Sequence, residues 1–341
     1  MKTRIFLFAA IAALCASCAK DAEPALETPG TVELNINVCE PGTKALVGDG
    51  DTSDKKFNNV QVFVYNASNE LERSSGVVTT AGNISLSLVP GTKTVWAVVN
   101  APSAITAPSS LDAFGALRSN LSDNALASMV MAGSATINLV TDSNLSVTVK
   151  RFASKVIIDK ITRKFTDKHY SEVPMRITRI YMGNVAADCD YACSGGPSDW
   201  ICKKGVLASA PPCAAMLVDS GLSANLPENG SYTTRHTFYV YPNPTTADAS
   251  GGEWSARKTR LIIECVYNDK TCYYPVTLPG SSSSATTLDR NKVYRITELT
   301  LKRPGSTDPD SKDPEVSSNA DFSFDVSVYD WETGATYTEE F

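Results

Sequence analysis

Residues 32–38 read VELNINV, a stretch in which four apolar side chains alternate with three polar ones. This period of two predicts a β-strand with one buried face. The stretch FSFDVSV at residues 322–328 has the same number of apolar positions at the same spacing. Either set of side chains could fill a row of alternate pockets when a strand is added to an exposed sheet edge. The alternative is that both strands pair within their own chain.

The sequence between these two stretches is rich in short alternating or β-branched segments, which predict an all-β protein. The exception is the segment from Leu111 to Met131, where apolar residues at steps of three and four predict a helix. Residues 304–315 contain three prolines and many acidic residues, a composition that predicts an unpacked linker. The predicted strands between the two stretches cover residues 60–65, 84–89, 95–99, 137–140, 145–149, 156–161, 176–182, 237–241, 260–267, 272–278 and 293–301.

The first eighteen residues have the three zones of a lipoprotein export signal. A positively charged segment, residues 2–4, precedes an apolar run at residues 5–14. That run is too short to span a bilayer of about 30 Å, which takes roughly 20 helical residues, so it fits a signal peptide. Two small residues then precede Cys18, the predicted lipid acceptor. An ordinary secretory signal cut nearby is the alternative.

Composition limits the classes of function. A chain of 341 residues is long enough for two domains, and its net charge of −6 argues against a nucleic-acid surface. Only two histidines occur, His169 and His236, and neither belongs to a metal-binding HExxH pair. The sequence has no GxSxG nucleophile turn and no phosphate-binding loop. We therefore predict a protein that is not an enzyme and has no cofactor or metal ion.

Six of the nine cysteines lie beyond residue 180, and an even number in an exported chain suggests disulfides. A two-residue turn at Asn268-Asp269 would place Cys265 opposite Cys272. Directly opposed Cα atoms lie about 4.5–5.5 Å apart, within the 4.4–6.8 Å that a disulfide spans. The other four could form two disulfides, with three possible pairings, or one zinc site: Cys189, Cys193, Cys202 and Cys213.

Several segments resemble the fimbrillins, the major fimbrial (pilus) subunits of Bacteroidia-type bacteria, in the order expected for that family. The similarity is strongest at LDRNKVYRITELTLKRPG (288–305) and at DVSVYDW (325–331). It extends along nearly the whole chain through GTVELNINV (30–38), NVQVFVYN (59–66), VKRFASKVIIDKI (149–161), FYVYPN (238–243), IIECVYN (262–268) and YYPVTL (273–278).

The resemblance implies two transthyretin-like β-sandwich domains and a C-terminal donor strand. It divides the chain into a signal peptide (1–18), a propeptide that contains the first β-strand (19–44), an N-terminal domain (45–150) and a C-terminal domain (151–341). The C-terminal domain includes a linker (304–318) and the donor strand (319–341).

The resemblance also implies a maturation route. The lipidated precursor reaches the outer membrane, where a trypsin-like protease cuts the loop after the first strand. The matching position is Lys44-Ala45, with lysine where the family usually has arginine. Arg73, the next arginine in the chain, is the alternative, but a cut beyond the strand at residues 60–65 would remove core.

A neighbour's C-terminal strand would then fill the groove that the first strand leaves. The removed side chains would be Val32, Leu34, Ile36 and Val38. The donor side chains would be Phe322, Phe324, Val326 and Val328, with Trp331 held in a partner's pocket or packed in its own domain.

We therefore expect a structural subunit of a cell-surface fimbrium that supports adhesion. Its expected partners are identical subunits in a linear polymer, other fimbrial subunits and the maturation protease. The alternative is a non-polymerising surface lipoprotein, such as a fimbrial anchor, a tip protein or a glycan-binding adhesin.

Overall fold

The computed structural model describes residues 30–39, 56–79, 83–279 and 285–312, together with the backbone of residues 326–330. Strands account for nearly all of the regular secondary structure in this part of the chain, so the predicted all-β fold class is confirmed. Within it, no helix combines the length and apolar character needed to cross a membrane. The predicted site residues Cys18, Lys44, Ala45, Phe322, Phe324 and Trp331 lie outside the described residues.

The N-terminal half forms two sheets that share one core. The strands are β1 (Val32–Cys39), β2 (Val60–Tyr65), β3 (Leu71–Val78), β4 (Ile84–Leu88), β5 (Gly91–Val99), β6 (Arg118–Asn120), β7 (Met131–Leu139), β8 (Ser143–Thr148) and β9 (Lys150–Arg151). One sheet has the order β4-β1-β8 and the other β3-β2-β5-β7-β9. Leu34 and Ile36 of the first sheet share a buried core with Val62 and Val95 of the second, as in a β-sandwich.

The C-terminal half contains three larger sheets with the orders β19-β10-β22-β24, β18-β11-β23 and β16-β12-β20-β21, while β17 pairs with β12 and β13 with β15. The strands are β10 (Ser154–Ile158), β11 (Ile161–Arg163), β12 (Met175–Gly183), β13 (Val185–Ala186), β14 (Asp188–Asp190), β15 (Trp200–Ile201), β16 (Val218–Asp219), β17 (Ala224–Asn225), β18 (Ser231–Tyr232), β19 (His236–Val240), β20 (Arg260–Tyr267), β21 (Lys270–Thr277), β22 (Lys292–Ile296), β23 (Leu299–Leu301) and β24 (Val326–Asp330). The short helices are α1 (Leu111–Gly115), α2 (Lys168–Ser171) and α3 (Ala214–Leu217).

A two-strand pairing joins the two halves. Strand β6 from the N-terminal half pairs antiparallel with β14 from the C-terminal half. Next to this ladder, Arg118 donates from Nε and Nη2 to the two carboxylate oxygens of Asp188, at 2.9 and 2.8 Å. A bidentate pair of this kind fixes geometry as well as contributing energy, so it helps to hold the halves in register.

The helix predicted for residues 111–131 is wrong beyond its first turn. Helix α1 begins after Ser110, whose side chain accepts a hydrogen bond from the Ala113 amide at 3.2 Å, and it ends at Gly115. The apolar spacing in this segment has a different cause: Phe114 is fully buried against Phe63 and other rings, and the chain then turns into β6. Tertiary contacts, rather than helical periodicity, explain the pattern.

The unpacked linker predicted from residue 304 onward is also wrong for residues 304–312. Ser306 pairs with Tyr273 by two backbone hydrogen bonds of 2.9 and 2.7 Å. Asp310 is 1% exposed and forms ion pairs with Arg257 and Arg260. The acidic, proline-rich composition predicted a solvated segment. It could not predict that Asp310 forms ion pairs with two buried arginines from a distant part of the chain.

Candidate strand-exchange site

Strand β1 is the middle strand of its sheet. It runs antiparallel to β4, with Leu34 opposite Leu86 and Ile36 opposite Ile84. It runs parallel to β8, with Leu34 opposite Ser143. Within the described residues, β4 and β8 have no other hydrogen-bonded strand. Removal of β1 would therefore leave a slot with an unpaired strand edge on each side.

The side chains of β1 alternate in burial as the sequence pattern predicts. Leu34 and Ile36 are 0% exposed, while Val32 and Val38 are half-buried. Full burial of an aliphatic side chain of this size contributes about 1.5–3 kcal/mol relative to exposure. The slot is therefore an apolar site with two fully enclosed central positions and a half-open position at each end.

The opposite face of β1 carries a polar ladder. The Ser87 hydroxyl donates to Glu33 and the Ser85 hydroxyl donates to Asn35. The Glu33 backbone amide donates to Asp142 Oδ1 at 2.8 Å. Because a shift of one residue would exchange the polar and apolar faces, these contacts and the buried row specify the same register.

The predicted donor strand is found, in part, in its own chain. Strand β24 contains two of the predicted donor residues and pairs antiparallel with β22, with Val326 opposite Ile296 and Val328 opposite Tyr294. It is the edge strand of its sheet, with β22 as its single described partner. In this structure, therefore, the C-terminal strand follows the alternative of pairing within its own chain.

The predicted hairpin register of Cys265 and Cys272 is confirmed. The two residues lie directly opposite each other in β20 and β21. Asn268 and Asp269 have φ angles of 47° and 60°, the left-handed pair that a two-residue type I′ turn requires. Both thiols are free in this structure, so the disulfide stays a prediction.

The structure does not gather the other four cysteines around one point. Among the described residues, no group of three or more His, Cys, Asp or Glu side chains is arranged to hold a metal ion. Cys189, Cys193, Cys202 and Cys213 all belong to the described residues, and each has a free thiol. A zinc site would need about four of these ligands around one point.

The two histidines occupy different environments. His169 is exposed and contacts Asp167 at 3.1 Å. His236 is buried, with Nδ1 at 2.6 Å from Asp219 Oδ2 and Nε2 at 3.0 Å from the Tyr232 hydroxyl. These contacts connect β16, β18 and β19. No local sequence pattern predicts them.

The fold is similar to those of several solved structures. No protein-family model and no curated protein sequence matches the chain. A fimbrilin from Porphyromonas gingivalis W83 superposes with a TM-score of 0.60 at 18% identity, over 90% of this chain and 99% of that chain. A candidate cell adhesion protein from Bacteroides eggerthii DSM 20697 gives 0.62 at 15% identity, over 89% and 97%.

The C-terminally truncated tip fimbrial protein Mfa3 from Porphyromonas gingivalis gives a TM-score of 0.52 at 12% identity, over 88% of this chain and 100% of that chain. At such identities the likeness shows the fold. The fold is of the fimbrillin type, as the sequence resemblance implies.

Proposed function

We propose that this chain, which has a fimbrillin-type fold, is a structural subunit of a cell-surface fimbrium. Each subunit would lose β1 and accept the C-terminal strand of a neighbour. The position of β1 carries the proposal: it lies in the middle of its sheet, yet the chain joins it to the following strands only through residues 40–55. A cut between Lys44 and Ala45 would fall in this connection and leave β1 held by non-covalent contacts alone.

The precursor in this proposal is an exported lipoprotein, anchored at the outer membrane through Cys18 and cut by a trypsin-like protease. Its partners are then identical subunits in a linear polymer and other fimbrial components. The role is structural, with no catalytic step.

The match between slot and donor supports the proposal. Whichever direction the donor stretch 322–328 takes in the slot, Phe324 and Val326 occupy the positions of Leu34 and Ile36. Among the described residues β24 has one hydrogen-bonded neighbour, whereas a strand in the slot would have two. Exchange would therefore add a second ladder of backbone hydrogen bonds to the donor.

The first test is the N-terminus of the polymer. We expect material sheared from the cell surface to begin at Ala45. Recovery of mature protein only with its lipidated Cys18 would contradict subunit polymerisation and favour an anchor.

The second test locates the donor strand. Asp325 would take the place of Asn35 in either direction, and Asn35 lies opposite Ser85. We expect the double variant Ser85→Cys/Asp325→Cys to form covalent ladders on non-reducing gels, since opposed Cα atoms lie within disulfide reach. The control Ser85→Cys/Ser327→Cys places the thiols diagonally, about 7–8 Å apart, where crosslinking should be weak. Equal ladders in both variants, or ladders in neither, would contradict the assignment.

A matched pair of variants then reports the direction of the donor. Ser87 lies opposite Glu33 at one end of the slot. A donor that runs in the direction of β1 brings Ser323 to this position, and a reversed donor brings Ser327 there. Crosslinking of Ser87→Cys with Ser323→Cys or with Ser327→Cys therefore distinguishes the two.

One observation favours the alternative of a glycan-binding surface protein. A cleft of about 670 Å³ at the junction of the halves is lined by Trp96, Asp112, Arg118 and Asp190. Aromatic and carboxylate groups in a concave site suit a polyhydroxylated ligand. Binding on a glycan array that Trp96→Ala abolishes, in a protein that does not polymerise, would support this function instead.

A further inference from the structure

Two cysteines meet at the junction of the two halves. Cys189 lies in β14, and Cys193 follows after a turn in which its amide donates to the Asp190 carbonyl at 3.0 Å. Cys193 adopts a left-handed φ of 51°, which turns the chain back towards the strand. The side chains of Cys189 and Cys193 are close enough for a hydrogen bond between the two thiols.

An arginine lies against this pair. Arg290 Nη1 donates to Cys193 Sγ at 3.1 Å. Its Nη2 donates to the Ala132 and Lys150 carbonyls, at 2.7 and 2.8 Å, and its guanidinium lies 4.8 Å from the centre of the Phe152 ring. The cation is thus fixed in place by three other groups, and it presents a positive charge to one sulfur of the pair.

The two thiols are unequal. Cys189 is 2% exposed, whereas Cys193 is half-buried between the exposed residues Ala192 and Ser194. The hydrogen bond from Cys189 and the charge of Arg290 lower the pKa of Cys193, although burial opposes them. The same hydrogen bond and burial raise the pKa of Cys189. This is the asymmetry of an attacking thiolate beside a buried resolving thiol.

We infer that Cys189 and Cys193 are an oxidisable pair that closes to a disulfide, and that Cys202 and Cys213 form the second disulfide. Cys202 and Cys213 line one cavity of about 320 Å³. The sequence leaves three pairings open. This is the one that joins Cys189 to the nearby Cys193 and joins the two cysteines that line the same cavity. The inferred disulfide pairing does not depend on whether the protein polymerises.

The reaction needs an oxidant that carries a disulfide, such as oxidised glutathione or a dithiol oxidase. The Cys193 thiolate attacks one oxidant sulfur, forms a mixed disulfide and releases the other sulfur as a thiolate. Cys189 then loses its proton and attacks the Cys193 sulfur, which forms the protein disulfide and releases the second oxidant thiolate. Two electrons pass to the oxidant, and the two thiol protons leave the protein.

Peptide mapping tests the pairing. The purified protein is reduced, incubated with oxidised glutathione, quenched with N-ethylmaleimide in acid and digested with Asp-N endoproteinase, which cuts before Asp190 and Asp199. We expect the peptide that ends at Cys189 to be linked to peptide 190–198. Peptide 199–218, which contains both Cys202 and Cys213, should be two hydrogens lighter than its dithiol form. A link between peptides 190–198 and 199–218, or alkylated Cys189 and Cys193, would overturn the inference.

Variants of Arg290 test the asymmetry. Arg290→Gln should slow formation of the 189–193 bond several-fold and leave the 202–213 bond unaffected. Arg290→Lys, which keeps the charge, should restore much of the rate. An unchanged rate in Arg290→Gln, or equal slowing of both bonds, would overturn the role assigned to Arg290.

Discussion

Asp310 forms an ion pair with Arg257 in a site where each side chain is only 1% exposed. The same carboxylate pairs with Arg260, and Asn184 donates to it at 2.9 Å. Arg260 in turn pairs with Asp248 at 2.8 Å. Asp310 is therefore the central anion of a buried network that fastens the segment after β23 to β20.

Replacement of Asp310 by Asn should destabilise the folded protein by about 3–5 kcal/mol, because it leaves buried arginine charge uncompensated. Urea denaturation measures the change. The matched control is Asp269→Asn at the exposed β20–β21 turn, which should change stability by less than about 0.5 kcal/mol. A similar loss in both variants would mean that the network is not the cause.

Truncation of the enclosed side chains of β1 should act on the precursor alone. Leu34→Ala or Ile36→Ala should lower its stability by about 2–5 kcal/mol, since each leaves a cavity in a fully buried position. The exposed Asn37→Ala is the control. If the mature polymer has lost β1, neither core variant should change the temperature at which the polymer dissociates. A lower dissociation temperature in the Leu34→Ala or Ile36→Ala polymer would show that β1 is retained.

The ion pair between the halves should give stability that acid removes. Partial burial raises the pKa of Asp188, but hydrogen bonds from Arg118 and Ser198 outweigh it and lower the pKa to about 2. Because the folded-state pKa lies below the unfolded value of 3.8, this contribution is present above about pH 4 and is lost as the pH falls towards 2. The stability difference between wild type and Asp188→Asn, measured in urea, should shrink over that range. A constant difference would contradict this origin.

Alkylation of the reduced protein should distinguish Cys193 from Cys213. The hydrogen bond from Cys189 and the charge of Arg290 lower the pKa of Cys193, whereas burial raises the pKa of Cys213 to about 11. Iodoacetamide near neutral pH should therefore modify Cys193 first, and its rate should persist to lower pH than that of an ordinary thiol. Mass spectrometry at short times reads both sites, and preferential modification of Cys213 would contradict the assignment.

The sequence predicts those features that depend on local pattern. The alternation of residues 32–38 predicts the buried row Leu34 and Ile36, and Asn268-Asp269 predicts the register of its hairpin, because strand period and turn type are local properties. The slot itself does not follow from the pattern, because it depends on the pairing of β1 with the distant strands β4 and β8.

Other features depend on contacts between distant parts of the chain. Asp310 meets arginines about fifty residues earlier in the sequence, and Arg290 reaches Cys193 from 97 residues away. Phe114 lies in the single turn of α1, and its burial comes from packing against the rings of Phe63 and Tyr191 and not from a longer amphipathic helix. No window of sequence contains both members of such pairs, so composition and periodicity predicted a linker and a helix instead.

The anchoring of Asp310 has a mechanical consequence if the C-terminal tail carries tension between subunits. A pull on residues beyond 312 reaches the ion pairs of Asp310 before it reaches β23 or β22. The load then passes through Arg260 into β20, which is an inner strand held between β12 and β21 and not an edge strand. One buried carboxylate would thus set how much force a subunit withstands before its C-terminal sheet begins to open.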